Sequence, residues 1–112
     1  MKISQIITEK YENQDPNRPA DYVDIDGDQY WIATNGHLHR DGDLPAIIRD
    51  DGRQYWYHDG KKHRETGPAF IWSDGAVEFW LNNYEYSIED WAEKVGMRKH
   101  EMLITKHKLG LD

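Results

Sequence analysis

The side chains best suited to chemistry cluster at His37, His39, Asp41 and Asp43. His37-x-His39 places two imidazoles on one side of an extended segment, and Asp41 and Asp43 continue the alternation. His58 and His63 follow in the next stretch. Imidazole and carboxylate are zinc-ligand types, and a zinc site needs three or four of them converging at about 2 Å. Repetition points elsewhere. His39-Arg40 recurs as His63-Arg64, which suits histidines that bond a neighbouring turn and arginines that pair with turn aspartates. No metal and no other cofactor is expected. Nor does an enzyme emerge, because there is no cysteine, no G-x-S-x-G elbow and no glycine-rich phosphate loop. Asp41, Asp51, Asp59 and Asp74 adjoin or approach glycine, where aspartate is favoured for its bond to nearby backbone. No paired acid and base stands out among them.

The elements that position these residues are copies of one another. One copy starts at Gly27, the next at Gly52 and a shorter one at Gly75, steps of 25 and 23 residues. Each reaches an aromatic pair: Tyr30-Trp31, Tyr55-Trp56 and Phe79-Trp80. A turn follows at Asn35-Gly36, Asp59-Gly60 and Asn82-Asn83, and the first two copies close on Pro45-Ala46 and Pro68-Ala69. Such a period marks stacked supersecondary units, each too small to bury its own apolar face.

Each unit reads as a hairpin. Asp26-Gly27, Asp51-Gly52 and Asp74-Gly75 separate β-rich runs, and Asp-Gly permits the positive φ that tight two-residue hairpins need. Pro45 and Pro68 stand at strand starts, where a missing N–H costs least. Strands are expected over 22–26, 28–33, 45–50, 53–58, 68–73 and 76–81. Ile3, Ile6, Ile7 and Tyr11 predict an amphipathic helix over 2–11, followed by a Pro- and Asn-rich loop. Ser87 with Asp90 three residues on signals a helix start, Trp91 and Val95 share a face, and Gly96 ends it. The stretch 97–108 suits a helix or a short strand, with helix preferred. The expected fold is therefore mainly β with flanking helices, an antiparallel hairpin-repeat meander. It forms a single domain over 1–112: helix and loop at 1–19, repeats at 20–86 and a helical cap at 87–112.

The strands are apolar on both sides. One face is expected to pack under the terminal helices through Ile3, Ile7, Trp91 and Val95. The other carries aromatic and long polar side chains partly in water. Trp31, Trp56 and Trp80 would form a ladder. Trp, Tyr and Arg dominate binding hot spots, so Tyr57, Trp72 and Tyr84 are the expected partner-binding anchors.

His63-Arg64-x-x-Gly67-Pro68-Ala69, with Asp51-Gly52, Tyr55-Trp56-Tyr57 and Asp59-Gly60-Lys61-x-His63-Arg64, carries a resemblance. It is similar to the MORN-like repeats of tailed phages, large DNA viruses and some bacteria. Residues 52–69 match best, and 27–51 match with one residue inserted and with Leu44 in place of the glycine before proline. The opening MKISQIITE resembles the start of small accessory proteins of large tailed phages. The resemblance implies a β-hairpin repeat scaffold of viral origin that binds rather than catalyses. Arg40 and Arg64 stand where MORN repeats usually have glycine after the histidine, which weighs against carrying over the lipid-binding role.

Charge narrows the partners. The net charge of −7 divides into +3 over residues 94–112 and −10 over the rest. An acidic body repels nucleic-acid phosphates, so no direct nucleic-acid binding is expected. A protein partner is expected, bound as a phage accessory protein binds a host or viral protein. The alternative is an acidic mimic of nucleic acid that inhibits a host enzyme through Asp21, Asp24, Asp26 and Asp28. MORN-like lipid binding is disfavoured because cytoplasmic leaflets are themselves negative. No apolar run approaches the roughly 20 residues that span a membrane, and the N-terminus lacks a signal-peptide core, so a cytoplasmic location is expected. Three aspartates in 21–26 protect one sheet edge, and a monomer is favoured over a dimer through the exposed face.

Overall fold

The computed structural model describes residues 15–112. In chain order the strands are β1 (Tyr22–Val23), β2 (Gln29–Tyr30), β3 (Ile47–Ile48), β4 (Gln54–Tyr55), β5 (Tyr57–His58), β6 (Lys61–Lys62), β7 (Phe70–Ile71), β8 (Val77–Leu81) and β9 (Tyr84–Tyr86). The helices α1 (Ile88–Val95) and α2 (Lys99–Lys108) follow. The helix expected over 2–11 lies outside the described residues. Seven strands make one antiparallel sheet in the order β1-β2-β3-β4-β7-β8-β9, with β5-β6 as a separate ribbon. This is the hairpin-repeat meander with C-terminal helices that the sequence pattern implies.

Two kinds of turn build it. At Asp26-Gly27, Asp51-Gly52 and Asp74-Gly75 only the glycine has positive φ (+87°, +96° and +90°). The pairs Asp24–Asp28, Arg49–Arg53 and Trp72–Ala76 close around three residues, not the two expected. These are three-residue loops whose last residue is the left-handed glycine. Aspartate suits the preceding position because its carboxylate accepts a backbone N–H two residues on, as Asp51 does from Arg53 and Asp74 from Ala76. Asp59-Gly60 and Asn82-Asn83 are true two-residue turns with positive φ at both positions.

The strand expected over 53–58 divides at Trp56. Gln54–Tyr55 pairs with β3 and β7, whereas Tyr57–His58 pairs with β6, so the chain changes neighbours there. β6 and β9 follow directly on the Asp59-Gly60 and Asn82-Asn83 turns and lie outside the expected strands.

Register decides the faces. Asp21, Ala46 and Ala69 donate their N–H to the carbonyls of Tyr30, Tyr55 and Glu78, so Glu78 occupies the tyrosine place in the third copy. Phe79, not Trp80, is therefore the counterpart of Trp31 and Trp56, and the expected ladder of Trp31, Trp56 and Trp80 does not form. A one-residue shift sends a strand side chain to the opposite face. Trp31, Trp56 and Phe79 are buried on one face, while Trp80 lies on the other against Phe70.

Trp31 and Trp56 each donate their indole N–H to a carbonyl thirteen residues earlier, those of Arg18 and Asp43. Phe79 has no such donor. Trp91 of α1 supplies one: its ring stacks on Phe79 at 4.7 Å, its Nε1–H donates to the Arg64 carbonyl at 3.0 Å, and it is wholly buried. The helix thus completes the tryptophan layer. Ser87 caps α1 by accepting the Asp90 N–H, and Gly96 ends it with φ +79°. Within 97–108, Lys99–Lys108 form a helix, α2, tied to α1 by Lys106–Glu89 at 2.8 Å. The described body measures 53 × 33 × 21 Å.

Candidate functional site

The repeat histidines are held at both ring nitrogens. His39 Nδ1 accepts the Asp59 N–H at 2.9 Å, and its Nε2 lies 2.9 Å from Asp41 Oδ1. His63 Nδ1 accepts the Asn82 N–H at 3.1 Å, with Nε2 3.4 Å from Glu65. Asp59 and Asn82 are the first left-handed residues of the two-residue turns, each at φ +50°. Each histidine thus fastens the turn of the next unit, as the repetition suggested.

That geometry bears on the metal reading. His39, Asp41 and His58 place ligand atoms within 4.8 Å of one another. A neutral imidazole has a single N–H, and Nδ1 of His39 is an acceptor, so its proton sits on Nε2. A ligating histidine normally donates its other N–H to an acceptor. Here that nitrogen faces a backbone donor, and metallation at Nε2 would require an imidazolate or a broken turn bond. His37 is drawn away to Asp59 at 3.1 Å, and the exposed His58 ring packs between those of His39 and His63. The set suits fastening turns better than holding an ion.

The arginines differ from one another. Arg64 lies over Trp56 at 3.9 Å and donates to both Asp43 oxygens and to the Pro68 carbonyl. Its bond holds the Asp43 carboxyl below the usual range. Arg40 lies over Trp31 at 3.8 Å but donates to the Pro16 and Pro45 carbonyls, so the expected aspartate partner is found only for Arg64. A groove of about 360 Å³ between these loops is lined by Arg40, Asp43, Trp56, His58, His63 and Glu65. Across it Arg64 pairs with Asp43, and His63 Nε2 lies 3.4 Å from Glu65.

The other sheet face is aromatic. Tyr30, Ile47, Tyr55, Phe70 and Glu78 form one cross-strand row. Tyr57 and Trp72 flank Phe70, with ring centroids 6.1 and 6.4 Å from it. Cations lie among the rings: Arg49 over Tyr55, Arg53 over Trp72 and Lys62 over Trp80. Glu78 accepts the indole N–H of both Trp72 and Trp80, fixing the two large rings. Helix α1 packs against Phe79 on the opposite side.

Tyr57 and Trp72 thus share a surface, but Tyr84 does not. Tyr84 pairs with Leu81 and Tyr86 with Phe79, which places Tyr84 on the helix-bearing face, 69% exposed beside Lys94. The three residues expected to act together are therefore divided between the two faces. Arg49, Arg53, Lys62 and Trp80 lie on the same face as Tyr57 and Trp72.

The four aspartates are divided as well. Asp28 is buried, accepting the Asp50 N–H at 2.7 Å and pairing with Arg49. Asp21 takes Arg18 and the Ile32 N–H. Burial raises its carboxyl, but these two bonds outweigh it and the net shift is downward. Asp24 accepts from the backbone of Asp26 and Asp28 and from the Tyr30 hydroxyl. Asp26 is exposed at the turn.

No family model, curated protein or solved structure matches the chain. Among the described residues no helix is long and apolar enough to cross a membrane.

Proposed function

We propose that this protein is a non-enzymatic interaction module of the MORN-like repeat type. In this reading it is a phage accessory protein that binds a host or viral protein through its aromatic sheet face. The observation that carries it is the half-buried pair Tyr57 and Trp72 flanking Phe70, with Arg49, Arg53 and Lys62 over rings of the same face, opposite the helix-bearing side. Rigid aromatic rings give large contact area at small entropic cost, and arginine on a ring face adds polar reach. Glu78 pre-orders both indoles, so little is lost in fixing them on binding.

The test is alanine substitution at Tyr57 and Trp72 in the full chain, followed by affinity capture from host lysate. Loss of one stoichiometric protein with both variants supports the module. A partner retained by both, with folding intact, removes the aromatic face from the account.

A further inference from the structure

The exposed apolar side chains are concentrated at two places. Of the large hydrophobic residues left exposed, Tyr22, Val23 and Ile25 belong to β1 and its turn, and Leu103, Ile104 and Leu111 to α2 and the chain end. Tyr84 stands apart. β1 is the first strand of the sheet order, while α2 packs beyond α1 at the β8-β9 end, so the two groups lie at opposite ends of the described body.

Their charges are opposite. Ile25, fully exposed, sits between Asp24 and Asp26, and Asp50 approaches Gly27 from the neighbouring turn. Neither Asp26 nor Asp50 has a cationic partner among the described residues. At the other end, Met102 and Leu109 turn inward onto the Phe79–Trp91 core. This leaves Leu103 and Ile104 outward, one helical turn from Lys99 and Lys108. Lys106 is spent on Glu89, which leaves Arg98, Lys99 and Lys108 against Glu101 and Asp112 over residues 98–112. Each end is an apolar centre with charges of one sign predominating around it.

We infer that the acidic β1 end of one copy docks on the basic α2 end of a second copy, head to tail. Such a contact uses two different surfaces, so it leaves one of each free at the ends of the pair and is open to further addition. Small polar-rimmed contacts of this kind are weak and screened by salt. The inference stands apart from the partner-binding face, because Ile25 at a turn tip and Ile104 on α2 are both remote from Tyr57 and Trp72.

Sedimentation velocity over rising concentration tests it, with the full chain, Ile25→Lys and Ile104→Glu. The full chain should grow beyond dimer at low salt and return to monomer near about 1 M salt, where the Debye length falls to about 3 Å. Each variant alone should associate about tenfold more weakly or worse, since a like charge now faces its rim. Mixed in equal amounts, the two variants should associate more tightly than either alone, because each keeps the end the other has lost. Lys108→Glu, at an exposed position, replaces Ile104→Glu if that variant does not fold. A chain that stays monomeric, a closed dimer indifferent to both variants, or a mixture that associates no more tightly than either variant alone overturns the inference.

Discussion

Replacing His39 removes the acceptor that the Asp59 N–H uses to hold a left-handed turn residue. Asparagine keeps an acceptor near the Nδ1 position, whereas alanine leaves that N–H to water. His39→Ala is therefore expected to lower stability by about 1 kcal/mol, the usual worth of one such bond, and His39→Asn by less. Chemical denaturation of both variants measures the difference; equal losses would contradict the acceptor role. Asp43 gives a second prediction at this scale. Its folded pKa is depressed by the Arg64 bond, so the pair's contribution is present above the unfolded aspartate value of about 3.9 and is lost as pH falls through the folded value. Stability measured from pH 6 down should show a loss below about pH 4 that is shallower in Asp43→Asn. The His–Arg repetition was readable as structural from residue spacing alone. That Arg40 would turn to the Pro16 carbonyl was not, because the contact spans 24 residues.

Among the elements, what was legible was what is local. Ser87, Asp90 and Gly96 mark α1 because capping uses residues within one turn of the helix end. Asp-Gly pairs mark turns, but whether a loop holds two residues or three depends on which partners meet across it. The third copy misled for a related reason: matching aromatic pairs aligned Trp80 with Trp56, whereas counting from Gly75 aligns Phe79. Since alternate strand residues face opposite ways, one residue of error exchanged core for surface. The exchange also shows why Trp91 matters, because it brings to the Phe79 layer the indole donor that the strand lacks. Trp91→Ala should cost about 3–5 kcal/mol by removing a fully buried ring, and Trp91→Phe substantially less. Thermal or denaturant unfolding checks both. Gly52, at φ +96° with open space beyond it, should lose about 1 kcal/mol on change to alanine through backbone strain alone.

The whole molecule has two unlike faces and two unlike ends. One face is closed by α1 and the tryptophan layer; on the other, Ile47, Tyr55 and Phe70 are buried, and Tyr57, Trp72 and Trp80 pack on them half-buried with cations over the rings. The sequence suggested an aromatic surface because the strands are apolar on both sides, yet it could not allot Tyr57, Trp72 and Tyr84 to faces without the register. Along the chain, the aspartates of 21–28 read as one acidic patch. In three dimensions Asp28 turns inward and Asp21 meets Arg18, and what is left at the tip surrounds Ile25. Tyr84, on the helix side, should be dispensable for a partner that docks on Tyr57 and Trp72. The most direct test is quantitative affinity capture from host lysate with the full chain and its Tyr57→Ala, Trp72→Ala and Tyr84→Ala variants. The account predicts one protein retained by the full chain and by Tyr84→Ala but lost with the other two. Retention by Tyr57→Ala and Trp72→Ala, or loss with Tyr84→Ala alone, would contradict it.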